Sequence, residues 1–154
     1  RISKDKTPSS PLYPIHLAPR GPQPIPCELV LCLTAETLLV GGGLFASMFS
    51  EATALVRQAI LDQADEFDRL IHNQEFAVCL PIRGESLKRV PKPFPADHPL
   101  ADYLKMKSWY LEQTVELGES NAALIEHMIA LAKSMQPFND FLNKALADFT
   151  MPQR

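Results

Sequence analysis

The chain has 154 residues, 46% of them hydrophobic and 21% charged, which is typical of one globular domain with a real core. Its net charge of −3 at pH 7 argues against general nucleic-acid binding, because such proteins carry a basic surplus that neutralises phosphates. We find no apolar run of about 18 residues and no signal-peptide pattern, so we expect a cytoplasmic protein that does not enter a membrane.

The N-terminal region is rich in proline. Seven of the 14 prolines fall within residues 1–26, where they fix φ angles and remove backbone donors. We therefore expect residues 1–26 to form an extended arm and residues 27–150 to form the folded core of a single domain over residues 1–154. The chain begins at Arg1 without an initiator Met, which favours an N-terminally truncated version of a longer domain.

The core region alternates between strand and helix patterns. "CELVLCLTAETLLVGGG" predicts two antiparallel strands joined by a short polar turn. Residues 51–72 have the apolar spacing of one helical face, and "EFAVCLP" at 75–81 reads as a third strand. A helix is predicted over about 99–113, and another over about 121–149 that Pro137 either kinks or divides. The predicted fold is therefore α+β, a small antiparallel sheet with helices packed on it.

Neither the three cysteines nor the four histidines predict a metal or cofactor site. Cys27, Cys32 and Cys79 lack CxxC spacing, and on one strand Cys27 and Cys32 would lie roughly 16 Å apart, too far for a disulfide. We interpret them as free thiols. No two histidines have metal-binding spacing, and no GxSxG motif is present, so we predict no metal and no cofactor.

The three glycines of "VGGGLF" invite comparison with phosphate-binding loops. A Lys-Ser or Lys-Thr pair does not follow them, and the GxGxxG spacing is absent. A bulge or a close approach of another chain segment is favoured over contact with a ligand, although both interpretations stay open.

The stretch "SLKRVPKPFPADHPLADYL" at residues 86–104 combines basic side chains with a predicted helix start. The free amides at such a start attract anions, and Lys88, Arg89 and Lys92 are near in sequence. Asp97 competes for the same amides, because an aspartate is a good N-terminal cap. The residues alone favour a capped helix after a rigid loop over a ligand site.

Several stretches resemble the bacterial and fungal proteins grouped as domain of unknown function 2461. They are "RISKDKTP", "LLVGGGLF" with "LVRQAI", "LKRVPKPFPADHPLADYLKMKS" and "MQPFNDFLNKAL", and they occur in the family's order. The resemblance implies no established activity. It implies that recurrent family positions are occupied here by Lys4, Asp5, Lys6, Gly41, Gly42, Gly43, Arg57, Lys88, Lys92, Asp97 and His98.

The sequence also departs from the family pattern. "TPSSPLYP" stands where "SPYK" is usual, "ELV" replaces an aromatic pair, Phe45 replaces a Trp, and Pro93 replaces a Gly. The resemblance further implies a helical segment upstream of the SKDK motif, which we expect a longer form of the protein to contain.

Our leading hypothesis is a protein that binds a small anionic or phosphorylated ligand. The predicted ligand-binding residues share basic or close-approach character: Lys4, Lys6, Gly41, Gly42, Gly43, Lys88, Arg89 and Lys92. One alternative is a non-catalytic domain that binds a protein partner or a second copy. Another is an enzyme in which Asp97 and His98 exchange protons as an acid/base pair, and the sequence leaves open whether the protein is an enzyme.

Overall fold

Four strands and four helices make up the part of the chain that the computed structural model describes, namely residues 13–17, 27–45, 48–118 and 120–153. The strands are β1 (Tyr13–Leu17), β2 (Leu29–Leu33), β3 (Thr37–Leu44) and β4 (Trp109–Glu116). The helices are α1 (Ser50–Asp62), α2 (Ala64–Ile71), α3 (Ala101–Leu104) and α4 (Asn121–Ala145), with a 3-10 helix at Ala77–Cys79. The predicted α+β class is confirmed.

The strands form one antiparallel sheet in the order β1-β2-β3-β4. The polar turn between β2 and β3 is closed by Thr34, whose backbone N–H donates to the Thr37 carbonyl oxygen at 2.9 Å. This confirms the predicted hairpin. Strand β1 lies inside the predicted arm and contains Pro14, which a strand tolerates at the edge of a sheet because one side of its backbone needs no partner.

One face of the sheet is covered by α4. Alternate residues of β3 and β4 are buried on it: Leu38, Val40, Leu44, Trp109, Leu111 and Val115. Helix α4 contributes buried residues at helical spacing: Leu131, Met135, Phe138 and Leu142. A Cβ added to Gly42 would lie 3.0 Å from Asn139 Oδ1, so the missing side chain allows α4 to lie close to β3. The predicted apolar seam of the last helix is core.

The predicted helix over residues 51–72 is divided in two. Helix α1 ends at Asp62, and Gln63, with φ −118° and ψ 41°, changes the chain direction before α2 begins at Ala64. The apolar spacing continues across the break because Ile60, Phe67 and Ile71 are all buried. A break of one residue leaves little trace in an apolar pattern.

Three predicted elements differ from the structure. The third strand at 75–81 is wrong, because Phe76 and Cys79 are buried at a spacing of three residues, which suits the 3-10 helix found there. The helix over 99–113 is wrong as well, since α3 is followed by β4. Pro137 lies inside α4 and does not start a second helix.

The three cysteines are free, as predicted. Cys27 and Cys79 are buried, and burial raises the pKa of the Cys27 thiol to about 12 and that of Cys79 to about 11. Among the described helices, none is long and apolar enough to cross a lipid bilayer.

Candidate functional site

The segment that precedes the basic residues is fixed to the edge of β4. Arg83 and Tyr110 exchange two backbone hydrogen bonds, one from Arg83 N at 2.7 Å and one from Tyr110 N at 2.9 Å. Four residues later, Leu87 N donates to the Lys105 carbonyl oxygen at 2.8 Å. These bonds hold the chain immediately before Lys88, so the loop that follows starts from a fixed point.

Three cationic side chains are exposed in this loop, which we call the basic loop: Lys88, Arg89 and Lys92. Among the described residues, none of the three forms an ion pair. The neighbouring lysines differ. Lys105 Nζ lies 3.0 Å from Asp102 Oδ1, and Lys107 Nζ lies 3.3 Å from Glu85 Oε2. The basic loop therefore holds three cations without a described ion pair, and the exposed Arg83 is a fourth in this region.

His98, and not Asp97, contacts the backbone at the start of α3. The Leu100 N–H donates to His98 Nδ1 at 3.0 Å. Leu100 is the N-cap residue of α3, and the Asp97 side chain makes no capping hydrogen bond there among the described contacts. The expectation that Asp97 caps the helix is wrong, because α3 has no described side-chain capping hydrogen bond and the Leu100 N–H donates to His98. With Nδ1 accepting a hydrogen bond, the neutral imidazole carries its proton on Nε2. Asp97 is exposed.

The three glycines lie within β3 and serve the packing of the fold. Gly43 has φ 111°, and an added Cβ would lie 2.3 Å from the Trp109 carbonyl oxygen. At Gly41 the nearest atom to an added Cβ would be the Leu111 carbonyl oxygen at 3.1 Å. Their closest neighbours belong to the sheet and to α4, not to the basic loop. The interpretation of a close approach is favoured for these positions.

Among the described residues, Arg57 is the least exposed charged residue. Its side chain is 7% exposed on α1, and it donates from Nε to the Leu104 carbonyl oxygen at 2.9 Å and from Nη2 to the Met106 carbonyl oxygen at 2.8 Å. Its guanidinium carbon lies 5.9 Å from the Trp109 ring centroid. Burial lowers the pKa of Arg57. Arg57 thus ties α1 to the segment that leads into β4.

The sequence itself carries a signal for the buried role of Arg57. Arg57 follows Val56 and stands one turn after Thr53 and one turn before Ile60, all of them buried residues of α1. A charged residue on the apolar face of a helix indicates a buried polar contact.

The predicted ligand residues are only partly brought together. Lys88, Arg89 and Lys92 share one loop, whereas the glycines lie within the sheet. Lys4 and Lys6 lie outside the described residues. Asp97 and His98 are adjacent in sequence, and no hydrogen bond joins their side chains among the described contacts. Their role as an acid/base pair stays a prediction.

A histidine on β1 and a buried carboxylate directly before β2, neither of them predicted, are in contact. His16 Nδ1 lies 2.7 Å from Glu28 Oε1, and Glu28 is 9% exposed. The two residues are 12 positions apart, and only the strand pairing brings them together, so no local pattern could have revealed the contact. Within the described ranges, no group of three or more His, Cys, Asp or Glu side chains is placed to hold a metal ion.

Apolar side chains are exposed along β1, β2 and the first half of α4: Ile15, Leu17, Leu33, Ile125 and Ile129. Asn143 lies on the same side of α4 as Ile125, since 18 residues make five full helical turns. Its side-chain amide donates to the Cys27 carbonyl oxygen at 2.8 Å, so this side of α4 faces the start of β2. Binding of a partner or a second copy there stays a prediction.

These observations define an α+β domain in which one helix covers an antiparallel sheet and an exposed basic loop leaves the sheet edge. The family model described as "Conserved hypothetical protein (DUF2461)" matches residues 1–141, and the chain belongs to this family. The resemblance seen in the sequence motifs is thereby confirmed. No curated protein and no solved structure matches the chain.

Proposed function

We propose that the protein binds a small anionic ligand at the basic loop. The observation that supports this most directly is the contrast between cations in one region. Lys105 and Lys107 contact carboxylates, whereas the three cations of the basic loop have no acidic partner among the described residues. A ligand that brings its own negative charge would complete their interactions.

The side chains suit a phosphate-like group. The planar guanidinium of Arg89 can donate two parallel hydrogen bonds to two oxygens of one anion, and Lys88 and Lys92 can add charge from either side. The chain as a whole carries a net charge of −3, so attraction of an anion must come from such a local cluster. Lys4 and Lys6 belong to the same predicted site, and their contribution stays a prediction.

Ligand binding without catalysis is the form of the proposal that the geometry favours. The Nδ1 atom of His98 already accepts the Leu100 N–H, so only Nε2 remains to exchange a proton with a ligand. Asp97 is exposed and does not orient the imidazole through a hydrogen bond among the described contacts. A general base normally needs such an orienting partner.

A thermal-shift panel tests the proposal. Inorganic phosphate, sulfate, a nucleoside monophosphate and a sugar phosphate are added separately to the wild-type protein and to Arg89→Ala. A ligand at 100 times its dissociation constant stabilises the folded state by about 2.7 kcal/mol, which raises the melting temperature by roughly 5–10 °C for a chain of this size. We expect one of the phosphate compounds to give this shift with the wild type and to lose most of it with Arg89→Ala.

Lys144→Ala serves as the matched control, because Lys144 is an exposed cation in the last turn of α4 and outside the basic loop. Its shift should equal that of the wild type. Equal shifts for wild type and Arg89→Ala would contradict the assignment of the basic loop, and the absence of a shift with any anion would contradict the proposed function.

A further inference from the structure

A cavity of about 470 Å³ lies between α2, the connection after it, and α4. Cavities that hold small organic ligands usually measure about 300–1,000 Å³, so this one has room for a small molecule. None of the predicted catalytic or ligand-binding residues lines it. The cavity is therefore separate from the basic loop, and what it binds is a question independent of the proposed function.

The inner wall of the cavity is apolar. It is formed by side chains from all three segments: Leu70, Phe76, Pro137 and Phe141. Phe76 is 2% exposed and Phe141 is 5% exposed, so the core holds both rings in place, and the accessible apolar surface comes from the half-buried Leu70 and the exposed Pro137. Burial of an aliphatic or aromatic group against this wall would be favourable through the removal of apolar area from water.

Four charged residues surround the apolar wall, two of each sign: Glu66, Arg69, Glu75 and Lys133. No ion pair joins any two of them, although all four lie in the described part of the chain. The Arg69 side chain instead donates from Nε to the Asp65 carbonyl oxygen at 3.2 Å. The lining thus offers separate positive and negative partners whose formal charges cancel.

Asn73 also lines the cavity. Asn73 adds a donor, because its Oδ1 accepts the Glu75 and Phe76 N–H groups at 2.8 and 3.3 Å and its side-chain N–H₂ makes no described hydrogen bond.

We infer that this cavity binds a small apolar zwitterion with the chemistry of an apolar α-amino acid. The apolar side chain of the ligand packs against Leu70 and Pro137, beside the buried rings of Phe76 and Phe141. Its carboxylate meets Lys133, and its ammonium group meets Glu66 or Glu75. A lining without net charge favours a dipolar ligand over a simple anion, because an anion would leave the two glutamates opposed to a like charge.

The test is a calorimetric titration of the whole chain with L-phenylalanine, L-leucine and glycine. Two blocked derivatives complete the panel: N-acetyl-L-phenylalanine, which lacks the positive charge, and L-phenylalaninamide, which lacks the negative charge. We expect L-phenylalanine or L-leucine to bind, and we expect glycine and both blocked compounds to bind at least 10-fold more weakly.

Two variants of exposed lysines on α4 locate the site. Lys133→Gln removes a charge from the cavity lining and should weaken binding of the amino acid at least 10-fold, whereas Lys144→Gln lies outside the lining and should leave it unchanged. Melting curves of both variants check that the fold is retained. Equal binding of the amino acid and its blocked derivatives, equal effects of the two variants, or no binding of any amino acid would each overturn the inference. None of these results bears on phosphate binding at the basic loop.

Discussion

Replacement of Arg57 by Met should strongly destabilise the fold while it leaves the exposed surface almost unchanged. The Arg57 side chain is 7% exposed and donates hydrogen bonds of 2.9 and 2.8 Å to the carbonyl oxygens of Leu104 and Met106. Both acceptor residues are buried, so neither carbonyl can replace its lost donor readily with water. A methionine of similar length fills the space but donates no hydrogen bond.

The magnitude follows from opposing contributions. Hydrogen bonds from a charged donor contribute about 1.5–3 kcal/mol each, and a buried acceptor left without a donor costs about 1–3 kcal/mol. Removal of the guanidinium also relieves its own desolvation, which is the cause of the lowered pKa of Arg57. We expect a net loss of about 2–4 kcal/mol. At about 2–4 °C per kcal/mol, this lowers the melting temperature by roughly 4–16 °C.

Urea denaturation followed by tryptophan fluorescence measures the effect, since Trp109 is the single tryptophan and its ring lies beside Arg57. The midpoint should fall while the slope stays constant, as expected for a change in stability alone. Arg57→Lys should recover little of the lost stability, because lysine lacks the planar guanidinium that donates to both carbonyl oxygens at once. Arg69→Met, at an exposed arginine, is the control and should change stability by less than about 0.5 kcal/mol. An Arg57→Met protein within about 1 kcal/mol of the wild type would refute the reasoning.

Further predictions concern the glycines and the thiols. Gly43→Ala should cost at least about 3 kcal/mol, because φ is 111° and the new Cβ would meet the Trp109 carbonyl, whereas Gly118→Ala, with no atom within 4 Å, should be neutral in the same urea assay. A thiol reagent should modify Cys32 well before the buried Cys27 and Cys79, and equal labelling rates would contradict the packing. Burial raises the pKa values of Cys27 and Cys79 from 9.0 to about 12 and 11, so the unfolded chain loses these protons first and stability should fall as the pH rises above 9. Cys27→Ala should flatten that decline in a series of melting curves.

The fold class could be predicted because the strongest patterns are local. The β2–β3 hairpin follows from two apolar runs around a polar turn, and α4 follows from an apolar seam at helical spacing. Neither pattern depends on knowing what lies opposite. The confirmed family membership assigns no activity to the chain.

The sequence did not predict strand β4, because its own apolar pattern is weak and its conformation depends on pairing with β3 and Arg83. Trp109, Leu111 and Val115 alternate on one face, but Gln113 interrupts the series and a helical pattern precedes it. Pairing with β3 on one side and with Arg83 on the other decides the conformation. Non-local hydrogen bonds of this kind override local preference, which explains why the helix over 99–113 was wrong.

The described residues that match the family motifs include some with a partner inside the fold and some without one. Gly42, Gly43, Arg57 and His98 each have a partner within the fold that accounts for the residue type found there. Lys88 and Lys92 have no such partner among the described contacts, and their side chains are exposed. Substitution in the first group would lower stability whether or not a ligand binds, so a loss of binding there would be ambiguous. Substitution of Lys88, Arg89 or Lys92 should leave the fold intact. Loss of anion binding in these variants would therefore show that the substituted side chain contacts the anion, because a loss of stability would be ruled out.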